Sequence, residues 1–219
     1  MIIKHRNKRN KIIKSISYSQ DEILSWIIKL YCPNGFSLDP TYSKGIFYKY
    51  NIKQPKYRFD INPLFGFVKK SDCRKMKFKN SSLQSIIFDP PFLATTGKSL
   101  KSNNDNENII AKRFGVYKNM KELWEFYKDS LVEFKRILID NGFLIIKIQD
   151  SISSGKQYLS HHFITQEAIK LNLYPKDLFI LLAKNRIIAD WQRNQKHARK
   201  FHSYFLVFQK LKVNIHYDI

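Results

Sequence analysis

The chain has 219 residues, of which 43% are hydrophobic, so it can build an apolar core of ordinary domain size. Its 39 lysines and arginines outnumber 18 acidic residues, and the net charge of +21 favours a polyanionic partner, nucleic acid first. An AT-rich genome also enriches lysine, but it does not deplete acids. No apolar run is long enough to cross a membrane. Cys32 and Cys73 lie far apart and not at a metal-binding spacing, so we expect free thiols in a cytoplasmic protein without a metal site.

The chain opens with a basic arm, residues 1–17, that has no continuous apolar region of the kind found in a secretory signal. A capping-box pattern follows, with Ser19 as the N-cap and Glu22 three residues later. Apolar residues then recur at helical spacing until Pro33. The pattern predicts an amphipathic helix that starts directly after Ser19.

Four successive short apolar segments then each end in an acid. The acids are Asp39, Asp60, Asp72 and Asp89, after segments 36–40, 56–60, 66–72 and 85–89. A helix could start near Ile46, between the first two segments. If the segments are parallel strands, the acids share the carboxyl edge of one sheet, where ligands bind in open α/β folds. One acid after a strand is ordinary turn chemistry, but four in series favour a common site.

The last of these segments runs into Asp89-Pro90-Pro91-Phe92. Prolines lack amide hydrogens and fix φ, so the strand ends there and Asp89 is held on a stiff turn beside an aromatic ring. A rigid carboxylate next to an exposed ring suits a flat polar ring with an amino group, such as a nucleobase. The carboxylate and a proline carbonyl accept hydrogen bonds from the amine, and the aromatic ring stacks on the base. The alternatives are a simple turn that closes a strand and, for Phe92, an aromatic residue of the core.

A long polar segment, residues 93–118, separates this turn from the next helix. A loop of this length inside a domain is usually functional or disordered, and it could close over a bound base, with Lys98 as a nucleic-acid contact. Asn119 then starts a long helix whose apolar face belongs to the core. Asp140-Asn141-Gly142 predicts a turn into a central strand that runs to Asp150.

The last third of the chain begins with a polar loop that holds His161 and His162, which we expect to be surface or loop residues rather than metal ligands. A helix around 165–171 follows, and strands at 177–183 and 203–209 suit an antiparallel closing pair. The segment between these strands interleaves basic residues with an aromatic, which suits phosphate contacts and base stacking. The alternative is a solvated hairpin with the tryptophan in the core. The candidate contacts are Arg186, Trp191, Arg193, Lys196, Arg199 and Lys200.

Asp-Pro-Pro-Phe resembles the catalytic tetrapeptide of the amino-group DNA methyltransferases, which use S-adenosyl-L-methionine to methylate adenine N6 or cytosine N4. The order of elements over residues 18–210 is similar to the Rossmann-like methyltransferase fold. The resemblance implies an α/β fold with a mostly parallel central sheet, an antiparallel closing hairpin and helices on both faces. It implies one domain over residues 18–219, S-adenosyl-L-methionine as cofactor and nucleic acid as substrate.

The resemblance also implies roles for particular residues. The loop after the first strand would wrap the methionine part of the cofactor, although the family's alternating glycines are reduced here to Gly45. Asp60 would bind the ribose hydroxyls, and Asp72, followed by Cys73, would bind the adenine amino group. The loop residues implied are Asp39, Pro40, Thr41 and Gly45, and the catalytic residues implied are Asp89, Pro90, Pro91 and Phe92.

The cofactor motif precedes the catalytic motif, and little chain follows Lys210, so we expect the family's usual recognition domain to be missing. The chain therefore looks like a small methylase of the phage or mobile-element type, for which a separate specificity partner or a homodimer is possible. A DNA methyltransferase, with adenine N6 ahead of cytosine N4, is the first interpretation. An RNA base methyltransferase is the second. The glycine-poor loop motivates the third, a non-enzymatic nucleic-acid-binding protein.

Overall fold

The computed structural model describes residues 12–94, 117–153, 155–185 and 196–215. Lys98, Arg186, Trp191 and Arg193 of the predicted site lie outside the described residues. The helices are α1 (Gln20–Tyr31), α2 (Met120–Ile137), α3 (Ser160–Lys170) and a 3-10 helix (Ile46–Tyr48). The strands are β1 (Ile16–Ser17), β2 (Leu38–Asp39), β3 (Tyr57–Asp60), β4 (Lys69–Lys70), β5 (Leu83–Phe88), β6 (Leu138–Ile148), β7 (Ser151–Ser153), β8 (Lys156–Tyr158), β9 (Leu173–Leu182) and β10 (His202–Lys210).

Eight of these strands form one sheet in the order β1-β9-β10-β6-β5-β2-β3-β4. β10 is antiparallel to both of its neighbours, β6 and β9. The other pairs in the sheet are parallel. Strands β7 and β8 form a separate hairpin. The mostly parallel sheet with an antiparallel closing pair is confirmed.

Both faces of the sheet are covered, because alternate side chains of a strand point to opposite faces. Ile86 and Phe88 of β5 belong to the core cluster that includes the apolar residues of α2 and α3. Ile87, between them, belongs to the cluster on the other face, with Ile23 and Ile27 of α1. A strand buried on both faces reads as a continuous apolar run, and the predicted layer of helices on each face is confirmed.

Ser19 is the N-cap of α1, as predicted. The Ser19 hydroxyl accepts a hydrogen bond from the Glu22 amide at 3.3 Å, and the Ser17 hydroxyl donates to the Glu22 carboxylate at 2.6 Å. The first bond satisfies an amide that the first turn of a helix leaves without an intrahelical partner. The Ser17 hydroxyl, rather than the Glu22 carboxylate, accepts from the Ser19 amide, at 2.9 Å. The helix ends at Tyr31, and Gly35 follows in a left-handed conformation with φ of 83°.

Several predicted boundaries were wrong. The helix expected from Ile46 is a single 3-10 turn, because Tyr50 and Asn51 have positive φ. The strand expected over 66–72 is reduced to the two residues of β4 at the outer edge of the sheet. His161 and His162 lie inside α3 rather than in a loop. These errors concern where an element starts or ends, which periodicity specifies poorly.

The predicted turn at residues 140–142 is a bulge within β6. Leu138 pairs with Leu83, but the next matched pair is Phe143 with Ser85, so the intervening residues of β6 loop out. Asn141 has φ of 62°, and a Cβ atom at Gly142 would lie 2.9 Å from the Ile139 carbonyl oxygen. The turn residues therefore bend the chain as expected, but the strand continues on both sides of the bend.

Cys32 and Cys73 are buried free thiols. None of the helices in the described ranges is both long enough and apolar enough to span a bilayer.

Candidate active site

The four strand-ending acids lie at one edge of the sheet. The strands that precede them, in the spatial order β5-β2-β3-β4, are all parallel, so their carboxyl ends point the same way. A cavity of about 370 Å³ opens at that edge, and Asp39, Asp60, Asp72 and Asp89 all line it. The predicted grouping of the four carboxylates is confirmed.

Most of the predicted cofactor and catalytic residues line this cavity: Asp39, Pro40, Thr41, Asp60, Asp72, Cys73, Asp89 and Pro91. Gly45 lies between two lining residues, Lys44 and Ile46. Pro90 is buried. Phe92 is half-buried and packs against the core cluster on the α2 side of the sheet. Phe92 is not among the residues that line the cavity, and its ring has the core contacts that the alternative interpretation expected.

Sequence reasoning missed several lining residues. Ile61 and Asn62 directly follow Asp60, so their position after a strand could have indicated them. Tyr117 and Phe126 come from the start of α2 and the residues before it, and no local pattern connects them with the acids. The residues missed are Tyr42, Ser43, Lys44, Ile46, Phe47, Ile61, Asn62, Ser71, Arg74, Tyr117 and Phe126.

Asp39 is the most buried of the four acids, with 3% of its surface exposed. One carboxylate oxygen accepts a hydrogen bond from the Thr41 amide at 2.9 Å, and the other accepts from the Tyr48 hydroxyl at 2.7 Å. Burial raises the pKa of Asp39 to about 7, and the neighbouring Asp89 and Asp60 carboxylates act in the same direction. The hydrogen bonds from Tyr48 and Thr41 oppose that rise in pKa.

Aromatic packing holds the loop after β2 in place of a glycine-rich turn. The rings of Tyr42 and Tyr48 stack with their centroids 5.4 Å apart, and the Tyr42 hydroxyl donates to the Gln54 side chain at 2.7 Å. Gly45 has φ of 63°, and a Cβ atom there would lie 2.5 Å from the Tyr42 hydroxyl oxygen. Gly45 is therefore needed both for its left-handed backbone and for the close approach of the Tyr42 ring.

Asp60 ties the same loop to β3. One of its carboxylate oxygens accepts from the Ser43 amide at 2.9 Å, and the other accepts from the Asn62 amide at 2.8 Å. The Tyr42 amide also donates to the Phe59 carbonyl at 2.9 Å. These bonds make the loop after β2 and the turn after β3 one wall of the cavity.

Asp72 forms a bidentate ion pair with Arg74. The Arg74 guanidinium donates to the two carboxylate oxygens at 3.0 Å and 2.6 Å. The pair lowers the pKa of Asp72, which is therefore ionised at neutral pH. The Arg74 amide also donates to the Asp72 carboxylate at 2.9 Å. Arg74 thus bonds to both carboxylate oxygens, and a further donor would have to displace or share one of these bonds.

Asp89 lies between groups from three other elements. Its amide donates to the Thr41 hydroxyl at 3.0 Å, and the Lys147 ammonium of β6 lies 3.8 Å from its carboxylate. The Tyr127 hydroxyl of α2 donates to the Pro91 carbonyl at 2.6 Å. The Asp89 side chain is 28% exposed, so a ligand in the cavity can reach its carboxylate.

The described part of the basic segment lies at the same edge of the sheet. Lys196, Arg199 and Lys200 precede β10, which begins beside the carboxyl end of β6 because the two strands are antiparallel. Lys196 is exposed, whereas Arg199 and Lys200 are half-buried. The structure therefore puts positive charge on the same side of the sheet as Asp89.

A second polar cluster lies at the carboxyl end of β6. His161 Nδ1 lies 2.8 Å from both carboxylate oxygens of Asp150, and the Tyr204 hydroxyl lies 2.9 Å from His202 Nε2. The rings of His161 and Tyr204 have centroids 4.5 Å apart. These contacts join α3, β6 and β10. Within the described ranges, no group of three side chains has the arrangement of a metal site.

No protein-family model matches the sequence. A segment of 86 residues is 34% identical to the type II methyltransferase M.HinfI from Haemophilus influenzae. That match covers 38% of this chain and 24% of the length of M.HinfI, so the chain spans about a quarter of the curated relative it matches.

Among solved structures, the chain resembles a protein from Galdieria sulphuraria assigned as a sarcosine dimethylglycine methyltransferase. The TM-score is 0.52 at 12% identity, over 87% of this chain and 85% of that chain. The chain has the Rossmann-like methyltransferase fold. A DNA modification methylase from Thermus thermophilus, complexed with S-adenosyl-L-methionine, gives a TM-score of 0.45 at 16% identity, over 67% of this chain and 56% of that chain.

Proposed function

We propose that the chain transfers a methyl group from S-adenosyl-L-methionine to an exocyclic amino group of a nucleobase in DNA, with adenine N6 as the first candidate. The observation that carries the proposal is the set of four acids, ending in Asp89, around one cavity at the carboxyl edge of a methyltransferase-type sheet. The segment of identity with a type II methyltransferase supports a nucleic-acid substrate, as does the net charge of +21.

The cavity suits the cofactor in size and in chemistry. Its volume of about 370 Å³ lies in the range of small-molecule sites. The cofactor carries a sulfonium cation, ribose hydroxyls and an adenine amino group, and carboxylates attract or accept from all three. Asp60 would hold the ribose, Asp72 would accept from the adenine amino group, and the Asp39 loop would hold the amino-acid part. When bound, the cofactor supplies the methyl group.

The role of Asp89 is to orient the target nitrogen. The lone pair of an exocyclic amine is delocalised into the ring, so the nitrogen is a weak nucleophile. Hydrogen bonds from its two N–H groups to the Asp89 carboxylate and the Pro90 carbonyl favour a pyramidal nitrogen. This is catalysis by positioning and by fixed charge. The nitrogen loses one proton as it gains the methyl group, and the Asp89 carboxylate can accept that proton.

The target base has to leave the helical stack to reach Asp89, because the cavity edge cannot approach an amine inside a duplex. Phe92 follows Asp89 by three residues in the chain, and its ring would stack on the extruded base. Lys196, Arg199 and Lys200 would contact the phosphates on either side of that base. Such contacts add affinity without sequence preference.

The test is methyl transfer from isotopically labelled S-adenosyl-L-methionine to DNA and to RNA of the same sequence. Digestion to nucleosides then identifies the modified base. We expect label in DNA as N6-methyladenine, at a rate about 10²- to 10³-fold lower with the Asp89→Ala protein. Label in N4-methylcytosine would identify cytosine N4 as the target instead, and label in RNA alone would identify RNA as the substrate. Cofactor binding without transfer to either polymer would contradict the enzymatic proposal.

A further inference from the structure

The turn Asp89–Phe92 has few backbone groups with which to hold its own shape. Pro90 and Pro91 have no N–H groups, so neither can donate a hydrogen bond within the turn. Its conformation depends on its carbonyls, on the amides of Asp89 and Phe92 and on neighbouring side chains. Two hydroxyl groups from other elements bond to this backbone, one on each side of the proline pair.

The first hydroxyl belongs to Tyr127. It donates to the Pro91 carbonyl at 2.6 Å, across 36 residues of sequence. The Tyr127 residue is 1% exposed and packs in the core cluster of α2, so its ring cannot move without displacing that core. The bond therefore sets the direction of the Pro91 carbonyl relative to the rigid helix. The Pro90 carbonyl, which would accept from the target amine in the proposed function, belongs to the adjoining peptide group.

The second hydroxyl belongs to Thr41. It accepts from the Asp89 amide at 3.0 Å and lies 3.4 Å from the Asp39 carboxylate, to which it can donate. The Thr41 amide also donates to Asp39 at 2.9 Å. One hydroxyl thus connects the loop after β2, which lines the cavity, to the first residue of the turn. A shift of that loop would move the Asp89 backbone.

We infer that Tyr127 and Thr41 are positioning residues that fix the Asp89–Phe92 turn for methyl transfer, an inference that rests on the proposed function. Neither side chain needs to touch the target base. Tyr127 anchors the turn to the core of the domain, and Thr41 couples it to the cofactor loop. Displacement of a reacting group by about 1 Å can lower a rate about 100-fold, so small shifts of this turn have large kinetic effects.

The experiment compares four variants with the wild type in single-turnover methylation. Tyr127→Phe and Thr41→Val each remove a hydroxyl, and Thr41→Ser keeps a hydroxyl at position 41. Tyr31→Phe is the matched control, because the Tyr31 hydroxyl makes a bond of 2.6 Å to Asp177 away from the cavity. Thermal melts, the cofactor Kd and hydrogen exchange of the peptide 85–92 are measured on every protein.

We expect Tyr127→Phe to lower the single-turnover rate about 10- to 100-fold, with a cofactor Kd within about twofold of the wild type. Thr41→Val should lower the rate similarly, and Thr41→Ser should recover most of it. The peptide 85–92 should exchange faster in Tyr127→Phe and Thr41→Val. Tyr31→Phe should melt earlier but keep the wild-type rate and the wild-type exchange of that peptide.

Two results would overturn the inference. One is a wild-type rate in both Tyr127→Phe and Thr41→Val. The other is an equal loss of rate in Tyr31→Phe, which would show a general effect of destabilisation. If the wild-type protein transfers no methyl group, the proposed function fails instead. Hydrogen exchange then tests separately whether the two hydroxyls anchor the turn. Faster exchange would then keep the two hydroxyls as anchors of the turn without a catalytic role, and unchanged exchange would remove that role too.

Discussion

The two halves of the sheet are built differently. In one half, β6, β9 and β10 have 11, 10 and 9 residues and are joined by long antiparallel ladders. In the other half, β2, β3 and β4 have 2, 4 and 2 residues. Asp39 and Asp60 are the last residues of β2 and β3, and Asp72 and Asp89 follow β4 and β5. The long half supplies rigidity through backbone hydrogen bonds, and the short half exposes its strand ends to the cavity.

In the short half, side-chain hydrogen bonds supply the rigidity that the backbone ladder supplies in the long half. Asp39 receives bonds from the Thr41 amide and the Tyr48 hydroxyl, and Asp60 receives one from the Ser43 amide. Such a bond depends on the identity of a particular side chain, whereas a ladder bond joins backbone groups. A single substitution can therefore break it. The short half should therefore be far more sensitive to point mutations than the long half, in function and in stability.

The largest effect should come from Asp89. Asp89→Ala should lower single-turnover methylation about 10²- to 10³-fold, because it removes one preorganised interaction with the reacting amine. Its side chain is 28% exposed, so the change opens no core cavity and the melting temperature should stay close to that of the wild type. A protein that melts normally and methylates at the wild-type rate would refute the catalytic role of Asp89.

Asp39 should give the short half a dependence on pH. Its folded-state pKa of about 7 lies above the value for an unfolded chain. The unfolded chain therefore loses this proton first as the pH rises, and the free energy of unfolding falls between about pH 4 and pH 7. At about 1.4 kcal/mol per pKa unit, the loss is on the order of a few kcal/mol.

The Asp39→Asn protein should lose that part of the pH dependence. Chemical denaturation at several pH values between 4 and 8 measures it, with the exposed residue Asp129→Asn as the control that keeps the wild-type profile. Parallel profiles for Asp39→Asn and the wild type would mean that Asp39 ionises in the folded protein as it does in the unfolded chain.

A glycine pair compares strained and relaxed backbone near the cavity. Gly45→Ala should destabilise the protein by about 1–3 kcal/mol, because φ is 63° and the new methyl group would meet the Tyr42 ring. Gly66→Ala should be close to neutral, since a Cβ atom there has no neighbour within 4 Å. Thermal melts and the cofactor Kd are the measurements. Equal losses of stability in the two variants would show that contact with the Tyr42 ring does not determine the cost of Gly45→Ala.

The smallest effect should come from the basic segment. Lys196→Gln with Lys200→Gln should weaken binding to all duplexes alike and reduce the slope of log affinity against log salt by roughly one for each phosphate that is no longer neutralised. Lys29→Gln with Lys176→Gln is the charge-matched control away from the carboxyl edge. A slope that changes equally in both double mutants would argue against phosphate binding by the basic segment.

The sequence could predict those parts of the site that depend on residues close to one another in the chain. Each acid follows an apolar run, and parallel strands bring such acids together whatever their exact lengths, so Asp39, Asp60, Asp72 and Asp89 could be grouped in advance. The N-cap at Ser19 is equally local. The apolar face of α2 was predicted to belong to the core. The hydrogen bond from Tyr127 on that helix to Pro91 depends on how the helix packs, which no spacing in the sequence records.

Other features required knowledge of a neighbour. Arg74 follows Asp72 by two residues, yet the bidentate pair depends on the turn between them. The missing glycines of the loop after β2 motivated the non-enzymatic interpretation, and nothing in the sequence indicated that stacked Tyr42 and Tyr48 hold that loop. Strand lengths were overestimated at β4, because an apolar pattern does not specify where a ladder stops pairing.

The short outer strand β4 also bears on how separate molecules meet. It consists of Lys69 and Lys70, both exposed, at the end of the sheet beyond β3. An outer strand with free backbone groups is a template on which another chain can assemble, and short length and lysine charge both oppose that. Two copies that approached through this edge would find almost no ladder to extend and would repel each other, which protects the protein from aggregation through β4.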